Sequence, residues 1–155
     1  MRVLLQRVSQ AAVTVDDEIT GAIGPGLLLL IGITHDDRDR EIDHLAAKIA
    51  NLRLFNDAAG RMDRSALDLL ASGEPVGILV VSQFTLYADT RKGRRPSYPR
   101  AAPPAIASPA VDRFAAALRA LGLAVATGRF GATMAVSLVN DGPVTIWLDT
   151  AAPRP

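Results

Sequence analysis

Hydrophobic residues recur at every second position at the start of the chain. Val3, Leu5 and Arg7 share one parity, and Ala11, Val13 and Val15 follow at the same spacing. A period of two predicts half-buried strands. Asp16-Asp17 separates the second run from Glu18–Ile23 and predicts a hairpin turn. Gly24-Pro25-Gly26 is a second break, and the unbroken apolar run Leu27–Ile33 after it predicts a strand buried on both faces. The period then lengthens. Ile42, Leu45, Ala46 and Ile49 fall at i, i+3, i+4 and i+7, which predicts an amphipathic helix over Arg38–Asn51. The acidic stretch before it suits a helix N-terminus, where negative side chains meet the positive end of the dipole.

Leu52–Phe55 predicts a short strand, Asn56–Gly60 a turn and Val76–Phe84 a buried strand. Residues 62–73 carry no decisive pattern. Thr90–Pro109 holds five of the ten prolines, five basic residues and no acid, so a long loop is expected there. Ser108 and Pro109 then read as the N-cap and first turn of a second main helix. Val111, Phe114, Ala115, Leu118 and Leu121 form its apolar face, and Gly122 closes it. Leu123–Thr127, Thr133–Val139 and Val144–Leu148 predict strands, the last two joined at Asn140-Asp141-Gly142-Pro143. The sum is a strand-rich α+β domain with two main helices. One domain over residues 1–149 and a loose tail over 150–155 are expected.

Composition narrows the function. With 155 residues, 49% of them hydrophobic, the chain can bury one core. Seventeen Lys and Arg against sixteen Asp and Glu exclude a wholly basic nucleic-acid coat, though not a local basic patch. The absence of cysteine excludes a thiolate metal site and a Cys nucleophile. No targeting segment is recognisable, and the longest apolar run is far short of the ~20 residues a membrane helix needs; a cytoplasmic protein that does not engage membranes is expected. The only histidines, His35 and His44, lie in and after the acidic stretch, so a Ser-His-Asp triad is hard to assemble. The cluster Asp36, Asp37, Asp39, Glu41, Asp43 lacks the glycine of a calcium loop and reads as a solvated helix start. No metal and no cofactor are expected, and no phosphate-binding glycine motif occurs.

Three segments carry candidate chemistry. Ser82-Gln83-Phe84-Thr85-Leu86-Tyr87 places two hydroxyls and an amide where a buried strand emerges. Such groups orient ligands in pockets, and equally they end strands by bonding locally. Asn140–Thr145 reads as a hairpin turn; alternatively, a cis Gly142–Pro143 bond would turn two carbonyls toward one ligand, and composition does not decide between isomers. Arg91, Lys92, Arg94, Arg95 and Arg100, with Tyr98 among them, offer phosphate-binding chemistry, or a plain solvated loop.

Taken together, MRVLLQRVSQAAVTV (1–15), SQFTLYAD (82–89), RRPS (94–97), GRF (128–130) and VSLVNDGPVT (136–145) resemble the D-aminoacyl-tRNA deacylases, over residues 1 to about 148. The resemblance implies a barrel-like, mostly antiparallel or mixed sheet and an esterase that removes D-amino acids from tRNA. It also implies a homodimer with active sites at the subunit interface. Ser82, Gln83, Phe84 and Thr85 would form the catalytic pocket. Gly142 and Pro143 of the other subunit, joined by a cis bond, would enter it as a filter for chirality. Arg7 would fix the orientation of that filter, and Asn140 belongs to the same motif. Arg91, Lys92, Arg94, Arg95 and Arg100 would lie near the tRNA acceptor end. D-aminoacyl-tRNA and glycyl-tRNA are the expected substrates, since glycine has no Cβ to exclude.

For the chemistry, backbone amides of Phe84 and Thr85 are expected to stabilise the oxyanion. The 2′-hydroxyl of the terminal adenosine is expected to help activate water, with Thr85 as the alternative nucleophile. Two rivals remain at this level: an RNA-binding module without activity, and a conventional Ser or Thr esterase.

Overall fold

The computed structural model describes residues 1–151. Its longest pairing joins the two ends of the chain. Strand β1 (Arg2–Val15) turns through Asp16 and Asp17 into β2 (Glu18–Ile23), which pairs with its second half, and β3 (Gly26–Gly32) continues along the same edge beside its first half. Both turn residues have positive φ, 49° and 64°, the geometry of a tight two-residue hairpin. Aspartate tolerates this conformation better than most residues because its short side chain bonds locally. Helix α1 (Asp39–Asn51) follows, then the small ribbon β4 (Phe55–Asn56) and β5 (Met62–Arg64), and the short helix α2 (Ala66–Ala71). Residues 62–73, undecided by pattern, are thus a strand and a helix. Ser65 caps α2, accepting from the Asp68 amide while Asp68 accepts from the Ser65 amide.

Strand β6 (Gly77–Ser82) pairs parallel to β3, and β7 (Ala124–Thr127) parallel to β6. Helix α3 (Pro104–Ala120) precedes β7, and β8 (Ala135–Asp149) closes the chain antiparallel to β1. β2 and β3 lie in turn along one edge of β1 and β8 takes the other, while β6 and β7 extend the sheet from β3. The sheet curls until β2 meets β7, where a Cβ on Gly21 would stand 2.4 Å from the Thr127 carbonyl oxygen. The result is a nearly closed mixed barrel with two main helices and one short one.

Two cores follow from this curl. Val3, Leu5, Leu27, Leu29, Ile31, Ile78 and Val80 face α1 and α3, meeting Ile49, Phe114 and Leu118. Val8, Val13, Val15, Leu28, Leu79 and Val81 fill the barrel. Each such side chain contributes about 1.5–3 kcal/mol on full burial. The unbroken run Leu27–Ile33 is explained: alternate residues serve opposite cores. The parity of β1 switches along its length, odd positions facing the helices up to Leu5 and the barrel from Ala11. Register shifts between Gln6 and Val8 and between Val8 and Gln10 accompany the switch, since one extra residue turns every later side chain over.

Three local expectations are corrected. Helix α3 begins at Pro104, not at Ser108, and Pro109 lies inside it. Pro103 and Pro104 suit a helix start, and Pro109 faces solvent, where water can satisfy the carbonyl its ring displaces. Residues 133–148 form no hairpin, because both halves of β8 run along β1 in one direction. Asp37 is not solvated: it is buried and takes an ion pair from the Met1 ammonium. That ammonium also donates to Thr150 Oγ1 at 2.6 Å, and the Thr150 amide donates to the Met1 carbonyl at 3.0 Å. Of the expected tail, residues 152–155 lie outside the described residues.

Barrel closure is open to a direct test. Gly21→Ala pushes β2 off β7 and is expected to destabilise by about 1–3 kcal/mol, lowering the Tm by about 3–10 °C in a chain of this size. Gly24→Ala, with no heavy atom within 4 Å of the new Cβ, is the control and is expected to leave the Tm within about 2 °C. Equal Tm values for the two variants in a thermal melt would show that the closure contributes nothing.

Candidate active site

Strand β6 ends at Ser82, and the Gln83 amide donates to the Ile31 carbonyl at 2.7 Å, holding the chain against β3 as it leaves the sheet. It then winds into one 3-10 turn, Phe84–Tyr87. The first amides of such a turn find no acceptor within it. Beside this turn is a cavity of about 500 Å³, lined by Ser82, Gln83 and Phe84. Its other walls are apolar, from Val81, Ala102, Val111, Phe130 and Met134 among others. Thr85 does not line it; its hydroxyl accepts a hydrogen bond from Gln83 Nε2. A carboxamide is no base in either orientation, so nothing on Gln83 can take a proton from Thr85. Neither histidine lines the cavity, and His35 Nε2 instead lies 3.2 Å from the Pro99 carbonyl oxygen.

The second segment is an excursion from a strand. Gln6 and Val8 of β1 face Thr145 and Asn140 of β8, so a two-residue step on one strand meets a five-residue step on the other. The surplus chain is thrown outward as Asp141-Gly142-Pro143, all three exposed. Asn140 clamps its base: Oδ1 accepts from the Val144 amide at 2.8 Å, and Nδ2 donates to the Val144 carbonyl and to Thr145 Oγ1, both at 3.2 Å. Arg7 holds the outer limb. Its Nε donates to the Asp141 carbonyl at 2.9 Å and lies 3.1 Å from the Asp141 carboxylate, while a terminal nitrogen donates to the Leu54 carbonyl at 2.5 Å. Gly142 has φ +154°, and a Cβ there would stand 2.5 Å from the Val144 nitrogen, so an L side chain does not fit. The Gly142–Pro143 bond is cis. Neither residue lines the cavity of its own chain.

The basic loop divides into unlike parts. Arg91 is paired with Asp89, 2.6 Å from its carboxylate. That acid stands just before Thr90, outside the acid-free stretch, and neutralises one of its five basic residues. Arg100 lies 5.6 Å from the Tyr87 ring centre, and Arg2 lies 4.5 Å from it. Lys92, Arg94 and Arg95 are exposed and make no ion pair among the described residues. Burial pushes the Tyr87 hydroxyl well above the usual tyrosine range, and the carboxylates of Asp37 and Asp149 add to this against Arg2 and Arg100. Arg2 also donates to Asp149 at 2.9 Å and to the Leu86 carbonyl at 2.8 Å, fastening the far end of the 3-10 turn to both terminal strands. Sequence reasoning assigned no role to Arg2, Phe130 or Met134, although Arg2 lies in the run 1–15 and Phe130 in GRF.

Comparison with known proteins agrees over the whole chain. The family model described as D-Tyr-tRNA(Tyr) deacylase matches residues 4–149. The chain is 64% identical over 151 residues to a D-aminoacyl-tRNA deacylase of Roseiflexus sp. (strain RS-1), covering 97% of this chain and 94% of that one. It is 61% identical over 154 residues to a D-aminoacyl-tRNA deacylase of Thermomicrobium roseum, covering 99% and 97%. A solved structure described as c-Myc DNA Unwinding Element Binding Protein superposes with a TM-score of 0.88 at 40% identity, over 98% of this chain and 100% of that one. A probable eukaryotic D-amino acid tRNA deacylase superposes with a TM-score of 0.81 at 19% identity, covering 95% and 97%, and shares the fold.

The Asp89–Arg91 pair has a measurable signature. Hydrogen bonds from the Arg91 side chain and amide hold the Asp89 carboxyl at about 2. A depressed value means the pair supports the folded loop above the ordinary carboxylate range and loses that role as pH falls through the lowered value. Asp89 is therefore expected to titrate near 2 by carboxyl-carbon NMR, and Arg91→Ala to return it toward 3.8. An unchanged value in the variant would show that Arg91 is not its partner.

Proposed function

This chain belongs to the D-Tyr-tRNA(Tyr) deacylase family and is a D-aminoacyl-tRNA hydrolase, and we propose that a second copy of the chain completes each of its active sites. The observation that carries this reading is the placement of the Asp141–Pro143 excursion. It is clamped at both limbs by Arg7 and Asn140, it projects from the surface, and it does not enter the cavity of its own chain. A stiff backbone presented outward is what a neighbouring cavity could receive.

In the reaction, water adds to the ester carbonyl carbon, the bond to the ribose oxygen breaks, and the proton passes to that oxygen. Free D-amino acid and tRNA result. The ester is already activated, so the protein mainly positions water and stabilises the oxyanion. The Phe84 and Thr85 amides at the start of the 3-10 turn serve that oxyanion. Thr85 is a poor nucleophile, because the group on its hydroxyl is a carboxamide and no histidine lines the cavity. The adjacent ribose 2′-hydroxyl then helps activate the water. Lys92, Arg94 and Arg95 remain free to meet phosphates of the acceptor end, whereas Arg91 and Arg100 have other partners.

Handedness is sensed by exclusion. The Gly142 and Pro143 carbonyls of the second copy hold the substrate amino group and leave no room for a Cβ on the L side. A D side chain points outward, so its identity matters little. Glycine has no Cβ and passes the filter.

Release of amino acid from matched D-tyrosyl-, L-tyrosyl- and glycyl-tRNA tests the filter. Ready cleavage of the D-ester, appreciable cleavage of the glycyl ester and none of the L-ester are expected. Cleavage of both tyrosyl enantiomers at one rate would refute it. Mixing two variants tests the shared site. Gly142→Ala damages the excursion and Phe84→Ala the cavity, and each alone is expected to fall at least tenfold. After co-refolding, half of the dimers carry one undamaged site, restoring about a quarter of the wild-type rate. No recovery on mixing would place both segments in one chain's site.

A further inference from the structure

Phe84 lines the cavity with 56% of its surface in solvent, yet its ring is not free. Tyr98 meets it edge to face, with centroids 4.8 Å apart and planes at 73°. Such pairs are attractive because the positive edge of one ring meets the negative face of the other.

Tyr98 is itself held between two anchors. On one side, Asp89 and Ser97 exchange backbone hydrogen bonds of 2.7 and 3.0 Å, closing the tip of the basic loop. On the other, Thr34 Oγ1 donates to the Arg100 carbonyl at 2.6 Å and the Ala102 amide donates to Ile33 at 2.9 Å, tying the chain back to the end of β3. Among the described residues the Tyr98 hydroxyl makes no hydrogen bond. The ring is what the position uses.

From this geometry we infer that Tyr98 is a positioning residue for deacylation: its ring, set edge to face against Phe84, fixes the Phe84 ring at the cavity mouth, and with it the backbone amide of Phe84. This rests on the assignment of the Phe84 and Thr85 amides to the oxyanion. It goes beyond it in giving the basic loop a part in the rate of the chemical step, besides any contact with RNA. A loop that only bound phosphates would alter how much substrate is held and leave the rate of the bound substrate alone.

Single-turnover deacylation of D-tyrosyl-tRNA at rising enzyme concentration separates the two quantities. Tyr98→Ala is expected to lower the saturating rate about threefold to tenfold and to leave the half-saturating concentration within about twofold. Tyr98→Phe, which keeps the ring and drops the hydroxyl, is expected to match the wild type. Phe84→Leu removes the partner ring, so adding Tyr98→Ala to it is expected to slow it by less than about twofold. An unchanged saturating rate in Tyr98→Ala, a loss confined to half-saturation, a Tyr98→Phe as slow as Tyr98→Ala, or full additivity in the Phe84→Leu background would each overturn the inference. Failure of the wild type to release D-tyrosine would instead overturn the proposed function itself.

Discussion

Arg7 stands on the face of β1 that the first strands turn toward the helices, and only 7% of it meets solvent. A guanidinium so placed must be met by acceptors, since taking a charge from water costs several kcal/mol unless its hydrogen bonds are replaced. Its acceptors are the Leu54 carbonyl on one side and Asp141 on the other. Leu54 is reached from α1, and Asp141 begins the excursion of β8. The demand of one buried charge therefore ties an exposed excursion to the core beneath the helices.

That tie explains how an outward segment can be held rigid. The excursion arises because β8 carries surplus residues opposite Gln6 and Val8. Left alone, such a surplus would be a floppy bulge. Asn140 at its base and Arg7 at its limb take up its backbone groups, and Gly142 admits a conformation closed to L side chains. The proposed discrimination by clash needs a wall that does not yield, and backbone fixed at both ends supplies one.

The cavity is built on the same logic with different parts. Parallel pairing of β6 with β3 brings Ser82 to the end of the sheet, and the 3-10 turn begins there because Gln83 is held on Ile31. Arg2 fastens the far end of the turn at the Leu86 carbonyl, and Tyr98 meets its exposed ring. The turn is thus supported from the termini of the sheet and from the basic loop. The proposed oxyanion role needs this support, since amides act on a developing charge effectively only when already aimed.

Much of this was legible along the chain. Alternation in β1, the run Leu27–Ile33 and the spacing of Ile42, Leu45, Ala46 and Ile49 depend on which side chains leave water, and burial repeats with the period of the backbone that carries it. The motifs at Ser82–Thr85 and Asn140–Thr145 were likewise visible as residue types. Tertiary structure decided what local rules leave open. Gly142-Pro143 looks like a hairpin turn, and only the register against β1 makes it an excursion in one strand. Pro109 looks like a helix start, yet α3 has already begun at Pro104 and buried Ala107 in the core before reaching it. Asp37 looks solvated until the Met1 ammonium is found beside it. The chain order set the periods and the chemistry of each segment, whereas pairing, register and charge partners belong to residues distant in sequence, whose meeting is fixed only when the whole barrel closes.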